Sequence, residues 1–214
     1  MRGSAKGANI LNRDGAPLDQ QFPVLVLAAG RASRMGCCKQ LLVLPGRGTL
    51  LNHAVAQARI LSRHVHAVVG CGYPLVRFRC RQQPSHWIYH SHWQLGLSGS
   101  LIAGVDALSP QALGFFVLLG DQPLLGEAGL IKLAHSARAR PDLAWAANYG
   151  SRVGVPAWIP RSMWSEINDL TGDAGAGAVL NRVGAFAVEM PGVQQDVDTP
   201  ADWQSVKRWL SEQA

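Results

Sequence analysis

Between Gln20 and Val105 the chain has no aspartate or glutamate at all, although nine arginines and lysines fall in that stretch. A segment this free of acids is suited to polyanions, so the chemistry to look for there is phosphate chemistry. From Asp106 onward the balance reverses, with twelve acids against eight bases, so the second half supplies the carboxylates. Charged residues as a whole are scarce, 16% of 214, which fits one well-buried domain rather than a disordered chain. No apolar run reaches the roughly 18 residues of a membrane span, and the start carries no signal-peptide hydrophobic region. A cytoplasmic protein without a membrane partner is expected. The four cysteines, Cys37, Cys38, Cys71 and Cys80, lack a C-x-x-C spacing, which argues against a zinc site or a redox pair. Cys37 and Cys38 sit among cations, but a nucleophilic thiol needs a base that the sequence does not locate, so a structural role is favoured. The arginines are scattered over several elements, with no aromatic stacking motif or helix-turn-helix pattern among them, so nucleic acid is not expected as a partner.

What the sequence does contain is organised around Val24–Lys39. Val24 to Leu27 is a continuous apolar run, as in a strand covered on both faces of a parallel sheet. It ends in a loop of small residues, with Gly30 and Gly36 bracketing Arg31 and Arg34, and Lys39 beyond. Small side chains let backbone N–H groups approach an anion, and the cations neutralise it. Five residues separate the glycines and Gln40 follows the lysine, so this is neither a P-loop nor a dinucleotide fingerprint.

Further along, Leu41 to Leu44 ends in the turn cluster Pro45–Gly48, and Thr49 reads as the N-cap of a helix to about Arg63 burying Leu50, Ala54, Ala58 and Leu61. Strands are predicted at 66–70, 87–89, 114–119, 143–147 and 186–189, and helices at 127–139 and 163–170. Residues 75–81 are too mixed to assign. Trp93–Gly104 is a second small-residue loop opening a helix, whose N-terminal N–H groups can hold an anion or a base carbonyl. Asp121 follows the most apolar run in the chain, Gly114–Leu119, where α/β folds bind ligands. A carboxylate there suits Mg²⁺, which takes its other ligands from water and substrate phosphates. Near the end, Thr199 caps a last helix with Pro200 in its first turn. That leaves Asp196 and Asp198 without a structural purpose and makes Asp198 the second candidate metal ligand. His64 with His66, and His90 with His92, alternate at strand spacing and read as surface positions.

Alternating strands and helices predict a single-domain α/β fold, a doubly wound and mostly parallel sheet with helices on both faces, over residues 22–214 behind a mobile tail of 1–21. The stretch Leu27-Ala28-Ala29-Gly30, with Ser33-Arg34-Met35-Gly36 and Lys39, resembles the signature loop of nucleotidyltransferases of the molybdenum-cofactor type. Within that group it is most similar to the cytidylyltransferases acting on molybdopterin. The resemblance runs from Val24 to Trp203 and implies the following roles. Leu27, Ala28, Ala29, Gly30, Ser33, Arg34 and Lys39 would hold CTP, with Ser98, Ser100 and Gly104 against the nucleotide. Arg34, Lys39 and Asp121 would be catalytic, and Asp121 would hold Mg²⁺. Gly172-Asp173-Ala174-Gly175-Ala176 matches a family loop that could grip the second substrate through Asp173 and Gly175. Gly154-Val155-Pro156 resembles a segment that often carries His where Val155 stands. The acceptor would be molybdenum-bearing molybdopterin and the recipient a molybdenum hydroxylase. Ala-Ala-Gly in the first loop goes with CTP rather than GTP. Two alternatives are a transferase for a sugar or polyol phosphate and a non-catalytic carrier of the finished cofactor.

Overall fold

The computed structural model describes residues 18–212. The predicted tail falls largely on residues 1–17, outside the described residues. Its last four, Leu18–Gln21, form a helical turn, α1, and the Gln21 carbonyl accepts a hydrogen bond from the Leu113 N–H at 3.0 Å. The chain then runs β1 (Val24–Ala28), a hairpin of β2 (Val43–Leu44) and β3 (Gly48–Thr49), α2 (Leu50–Leu61), β4 (Val65–Val69), α3 (Tyr73–Arg79), β5 (His86–Tyr89), α4 (Leu97–Asp106) and β6 (Gly114–Leu119). There follow α5 (Glu127–Ala139), β7 (Trp145–Asn148), β8 (Val153–Pro160), α6 (Trp164–Asn168), α7 (Ala176–Arg182), β9 (Phe186–Val188) and α8 (Pro200–Glu212).

Seven strands form one sheet in the order β5-β4-β1-β6-β8-β7-β9, parallel throughout except for β8, which runs against both neighbours. Period-2 alternation divides the strand side chains between two helix layers. Val24, Val26, Phe116 and Leu118 pack with Leu51, Val55, Leu130 and Leu133 of α2 and α5. Leu25, Leu27, Phe115 and Val117 pack on the other face with Leu101 of α4, Ile167 of α6 and Leu180 of α7. Burying a large apolar side chain contributes about 1.5–3 kcal/mol, so strands filled on both faces hold the sheet centre rigid. A third, smaller cluster joins Leu44 and Leu50 to Val197, Val206 and Leu210, seating α8 on the hairpin.

The Thr49 cap forms as expected, its hydroxyl accepting from the Asn52 N–H at 3.2 Å. Three elements differ from the sequence reading. Residues left unassigned near 75–81 are mostly helical in α3, which starts with Pro74 in its first turn. The predicted helix 163–170 is a 3₁₀ turn, Arg161–Met163, followed by the short α6. β8 was not foreseen because Gly154, Pro156 and Pro160 break the strand pattern. The sheet accepts Pro156 through a register shift: Ala146 faces Ala157 while Ala147 faces Gly154, leaving Val155 and Pro156 without partners on β7. His66 also corrects the surface reading. It pairs with Leu25 across the ladder and is buried, its ring stacked on His86 at 4.7 Å.

Candidate active site

The strand order turns back between β1 and β6, since β1 continues to β4 on one side while β6 begins the other half of the sheet. At such a switch point the loops leaving the carboxyl ends diverge and open a crevice. Here the loop after β1, the turn after β6 and the N-terminal end of α4 line a cleft of about 540 Å³.

The loop after β1 is held from behind. Gln40 is buried, and its amide nitrogen donates to the carbonyls of Ala28 at 2.8 Å and Gly30 at 3.1 Å. The Cys71 N–H donates to the Ala29 carbonyl at 3.0 Å. With those carbonyls engaged, Leu27, Ala28, Ala29, Gly30, Ser33 and Arg34 line the cleft. Sequence reasoning noted Gln40 only as a departure from a P-loop. The available signal was an uncharged polar residue between Lys39 and the apolar run Leu41–Leu44.

Lys39 occupies the centre. Its ammonium donates to the Asp121 carboxylate at 2.5 Å, to Asp198 at 3.0 Å and to the Val197 carbonyl at 3.2 Å. Burial opposes the charge on Lys39, but the pairing with Asp121 and then Asp198 prevails and holds its pKa above the ordinary lysine value. The Arg34 guanidinium donates to the other Asp198 oxygen at 3.0 Å. The two candidate ligands and the two candidate catalytic cations therefore form one cluster. The Val197 N–H also donates to the Asp121 carbonyl at 2.9 Å, so the segment before α8 is fastened to the turn after β6.

A divalent cation fits this cluster. One oxygen of Asp121, Oδ1, is buried without a hydrogen-bond partner, which is costly unless a cation can use it. Among the described residues no group of three or more His, Cys, Asp or Glu converges, so a metal held here by Asp121 and Asp198 would complete its shell from water and phosphate oxygens.

Three predicted residues lie elsewhere. Gly104 is on the inner face of α4, where an added Cβ would meet Leu25 at 2.9 Å and Val68 at 3.1 Å, so it serves close helix–strand packing and does not reach the cleft. Ser98 is buried, and both its hydroxyl and its N–H bond the Gly172 carbonyl, at 2.8 and 3.1 Å. It therefore latches the Gly172–Ala176 loop to α4, an approach Gly96 permits because a side chain there would collide with Gly172. Ser100 and Asp173 do line the cleft, whereas Gly175 lines a neighbouring one of about 420 Å³.

The two clefts share Leu27, Leu97 and Leu119, so they are contiguous. The second is bordered by Tyr149, Arg152, Val155 and Asp196. The Gln122 amide nitrogen ties two of these residues together, 2.9 Å from both the Tyr149 hydroxyl and the Asp196 carboxylate. Burial, with the Asp121 charge beyond it, pushes the Asp196 carboxyl above the usual range against the Gln122 hydrogen bond. The sequence had marked Asp196 as unexplained; its place is under this second cleft. At Val155 the backbone carbonyl accepts from the Tyr149 hydroxyl at 2.6 Å.

Residues 24–187 match the model of the MobA-like NTP transferase domain. The chain is 29% identical over 203 residues to the purine catabolism protein PucB of Bacillus subtilis (strain 168), spanning 86% of this chain and 95% of that one. Its fold is similar to the rv0371c homolog from Mycobacterium sp. strain JC1, with a TM-score of 0.78 and 26% identity over 91% of this chain and 99% of that one. It is also similar to Rv0371C of Mycobacterium tuberculosis H37Rv in complex with manganese, with a TM-score of 0.73 and 25% identity over 88% and 98% of the two chains. The chain belongs to the MobA-like NTP transferase family and is a nucleotidyltransferase.

Proposed function

We propose that this member of the family moves CMP from CTP to the terminal phosphate of molybdenum-bearing molybdopterin, releasing pyrophosphate and forming the cytosine dinucleotide cofactor of a molybdenum hydroxylase. The observation that carries the reading is the Lys39 ammonium set between Asp121 and Asp198 at the mouth of a cleft walled by Leu27–Gly30. A triphosphate entering there meets Arg31, Arg34 and Lys39, but also Asp121, Asp173 and Asp198. Those carboxylates would repel it unless a cation offset them, which supports a divalent metal held by Asp121 and Asp198. The manganese complex of the M. tuberculosis relative supports a divalent metal in this family.

In this mechanism an oxygen of the acceptor's terminal phosphate attacks the α-phosphorus, a P–O bond forms, and the bond to pyrophosphate breaks. Arg34 and Lys39 hold the departing pyrophosphate and neutralise its growing charge, a role worth several kcal/mol in a partly desolvated site. The rigid loop held by Gln40 keeps the triphosphate in line for attack. A metal held by Asp121 and Asp198 would supply charge neutralisation and Lewis-acid polarisation of the phosphoryl group. The contiguous second cleft is where the acceptor would lie, with Asp173 and Gly175 near the junction and Arg152 available to its phosphate. Ala29 stands where GTP-using relatives have a second glycine. Its side chain is buried in the cleft wall, which supports a smaller base.

The test is magnesium-dependent pyrophosphate release with molybdenum-loaded molybdopterin, with CTP and GTP run side by side and sugar and polyol phosphates as competing acceptors. Release with CTP and molybdopterin only is expected. Preference for GTP would overturn the base assignment, and preference for a sugar phosphate would overturn the acceptor.

A further inference from the structure

Behind the nucleotide loop lies a small cavity of about 200 Å³ that shares Gly30, Arg31, Ser33 and Gln40 with the main cleft and is otherwise lined by Cys37, Cys38 and Cys71 among its neighbours. Cys37 is exposed, and Cys38 and Cys71 are half-buried. The Cys38 sulfur lies only 3.4 Å from where a Cβ on Gly72 would stand, which brings it against the turn that begins with Cys71. Both cysteines are wired to the loop. Cys71 donates its N–H to the Ala29 carbonyl. The Cys38 thiol donates to Gln40 Oε1 at 3.1 Å, and the other end of that amide holds the Ala28 and Gly30 carbonyls. Cys38 is also bonded directly to Lys39. Among the described residues these thiols do not join a metal-binding group of three or more, and the transfer mechanism gives them no task.

We infer that Cys38 and Cys71 are an oxidant-sensitive dithiol whose closure to a disulfide loosens the nucleotide loop. With hydrogen peroxide as oxidant, the Cys71 thiolate attacks one peroxide oxygen, the O–O bond breaks, and water leaves after protonation, giving a sulfenic acid. The Cys38 thiol then attacks that sulfur, an S–S bond forms, the S–O bond breaks, and a second water leaves. Two thiols are oxidised by two electrons and one peroxide is reduced to two waters. Burial, then the neighbouring Cys71, raises the Cys38 pKa, which leaves the first attack to Cys71. Closure removes the S–H donated to Gln40 and draws residue 38, and with it Lys39, toward the Cys71 turn. The effect on catalysis rests on the nucleotidyl-transfer reading, whereas the disulfide does not.

The experiment treats reduced full-length protein with one equivalent of hydrogen peroxide. It maps disulfides by non-reducing peptide mass spectrometry, follows hydrogen exchange across residues 28–41, and measures CTP binding by calorimetry. The expected result is a Cys38–Cys71 cross-link, faster exchange in the loop, and CTP binding weakened at least about tenfold, all reversed by a thiol reductant. Cys71→Ser should bind CTP as the reduced parent does and be indifferent to peroxide. A cross-link between other cysteines, or sulfinic acid without a cross-link, overturns the pairing. A Cys38–Cys71 cross-link with unchanged loop exchange overturns the coupling. Reduced protein that binds no CTP would count against the cytidylyl-transfer reading, and the map and the exchange would still decide the dithiol.

Discussion

The Lys39 ammonium and the Asp121 carboxylate, 2.5 Å apart and 82 residues apart in sequence, join the loop after β1 to the turn after β6. Each side chain is 16% exposed, so the pair is neither a surface ion pair nor fully removed from water. In such a setting the contact is worth more than the small amount typical of the surface, and losing one partner leaves the other poorly compensated.

Replacing Lys39 with alanine is therefore expected to lower turnover by about 10²–10³-fold, in line with loss of one electrostatic contact to a developing charge. Stability should fall by only about 1–3 kcal/mol, because Asp121 keeps some access to water. Pyrophosphate release and urea denaturation measure the two effects, and near-normal turnover would remove Lys39 from the mechanism.

Gln40 has a different role, since its amide nitrogen holds the loop carbonyls of Ala28 and Gly30. Gln40→Ala strips the Ala28 and Gly30 carbonyls of their buried donor and should cost about 1–3 kcal/mol while raising KM for the nucleotide. Gln40→Glu should be no better, because a carboxylate cannot donate to a carbonyl. Steady-state kinetics that leave KM unchanged in both variants would show that the loop keeps its shape without this amide.

Gly104→Ala tests packing against binding. The added methyl presses on Leu25 and Val68, both fully buried, so a loss of about 1–3 kcal/mol is expected, with kcat and nucleotide KM unchanged for the folded fraction. A specific rise in KM without loss of stability would return Gly104 to the nucleotide site.

His66 sets an acid limit on stability. Burial, and then the charges of His86 and His64, lower its pKa from 6.5 to about 4. The folded protein thus refuses a proton that the unfolded chain accepts. Its contribution is complete above pH 6.5 and is lost as pH falls through about 4, at most about 3 kcal/mol. Urea midpoints at pH 7 and pH 4.5 should converge in His66→Gln, and an unchanged gap between them would assign the acid sensitivity to other groups.

The parallel core was legible because β1 and β6 are covered on both faces and read as unbroken apolar runs, and β4 is interrupted only by His66. Asp121 was legible from its place at the end of such a run, and Asp198 because helix capping left it without a purpose. β8 was hidden by its prolines, which matter less in the fold because a register shift removes Val155 and Pro156 from the ladder with β7. Ser98 and Gly104 were read with their neighbours as nucleotide contacts, but a helix turns its residues in different directions. Ser98 faces the Gly172 carbonyl and Gly104 faces the sheet. Gln40 left the weakest trace, because its partners are backbone carbonyls and backbone carbonyls have no sequence signature.

The hydrogen bonds from Val197 to Asp121 and from Lys39 to the Val197 carbonyl also bear on timing. A ribosome delivers the chain from its N-terminus, and the sheet centre of β1, β4 and β6 is available once residue 119 has emerged. The charge cluster is not, since one of its carboxylates belongs to residue 198. A nascent or clipped chain ending before that point could carry a formed sheet and an open crevice, yet its lysine would lack one carboxylate and its β6 turn would lack its backbone tie. The complete charge cluster therefore forms only late in synthesis.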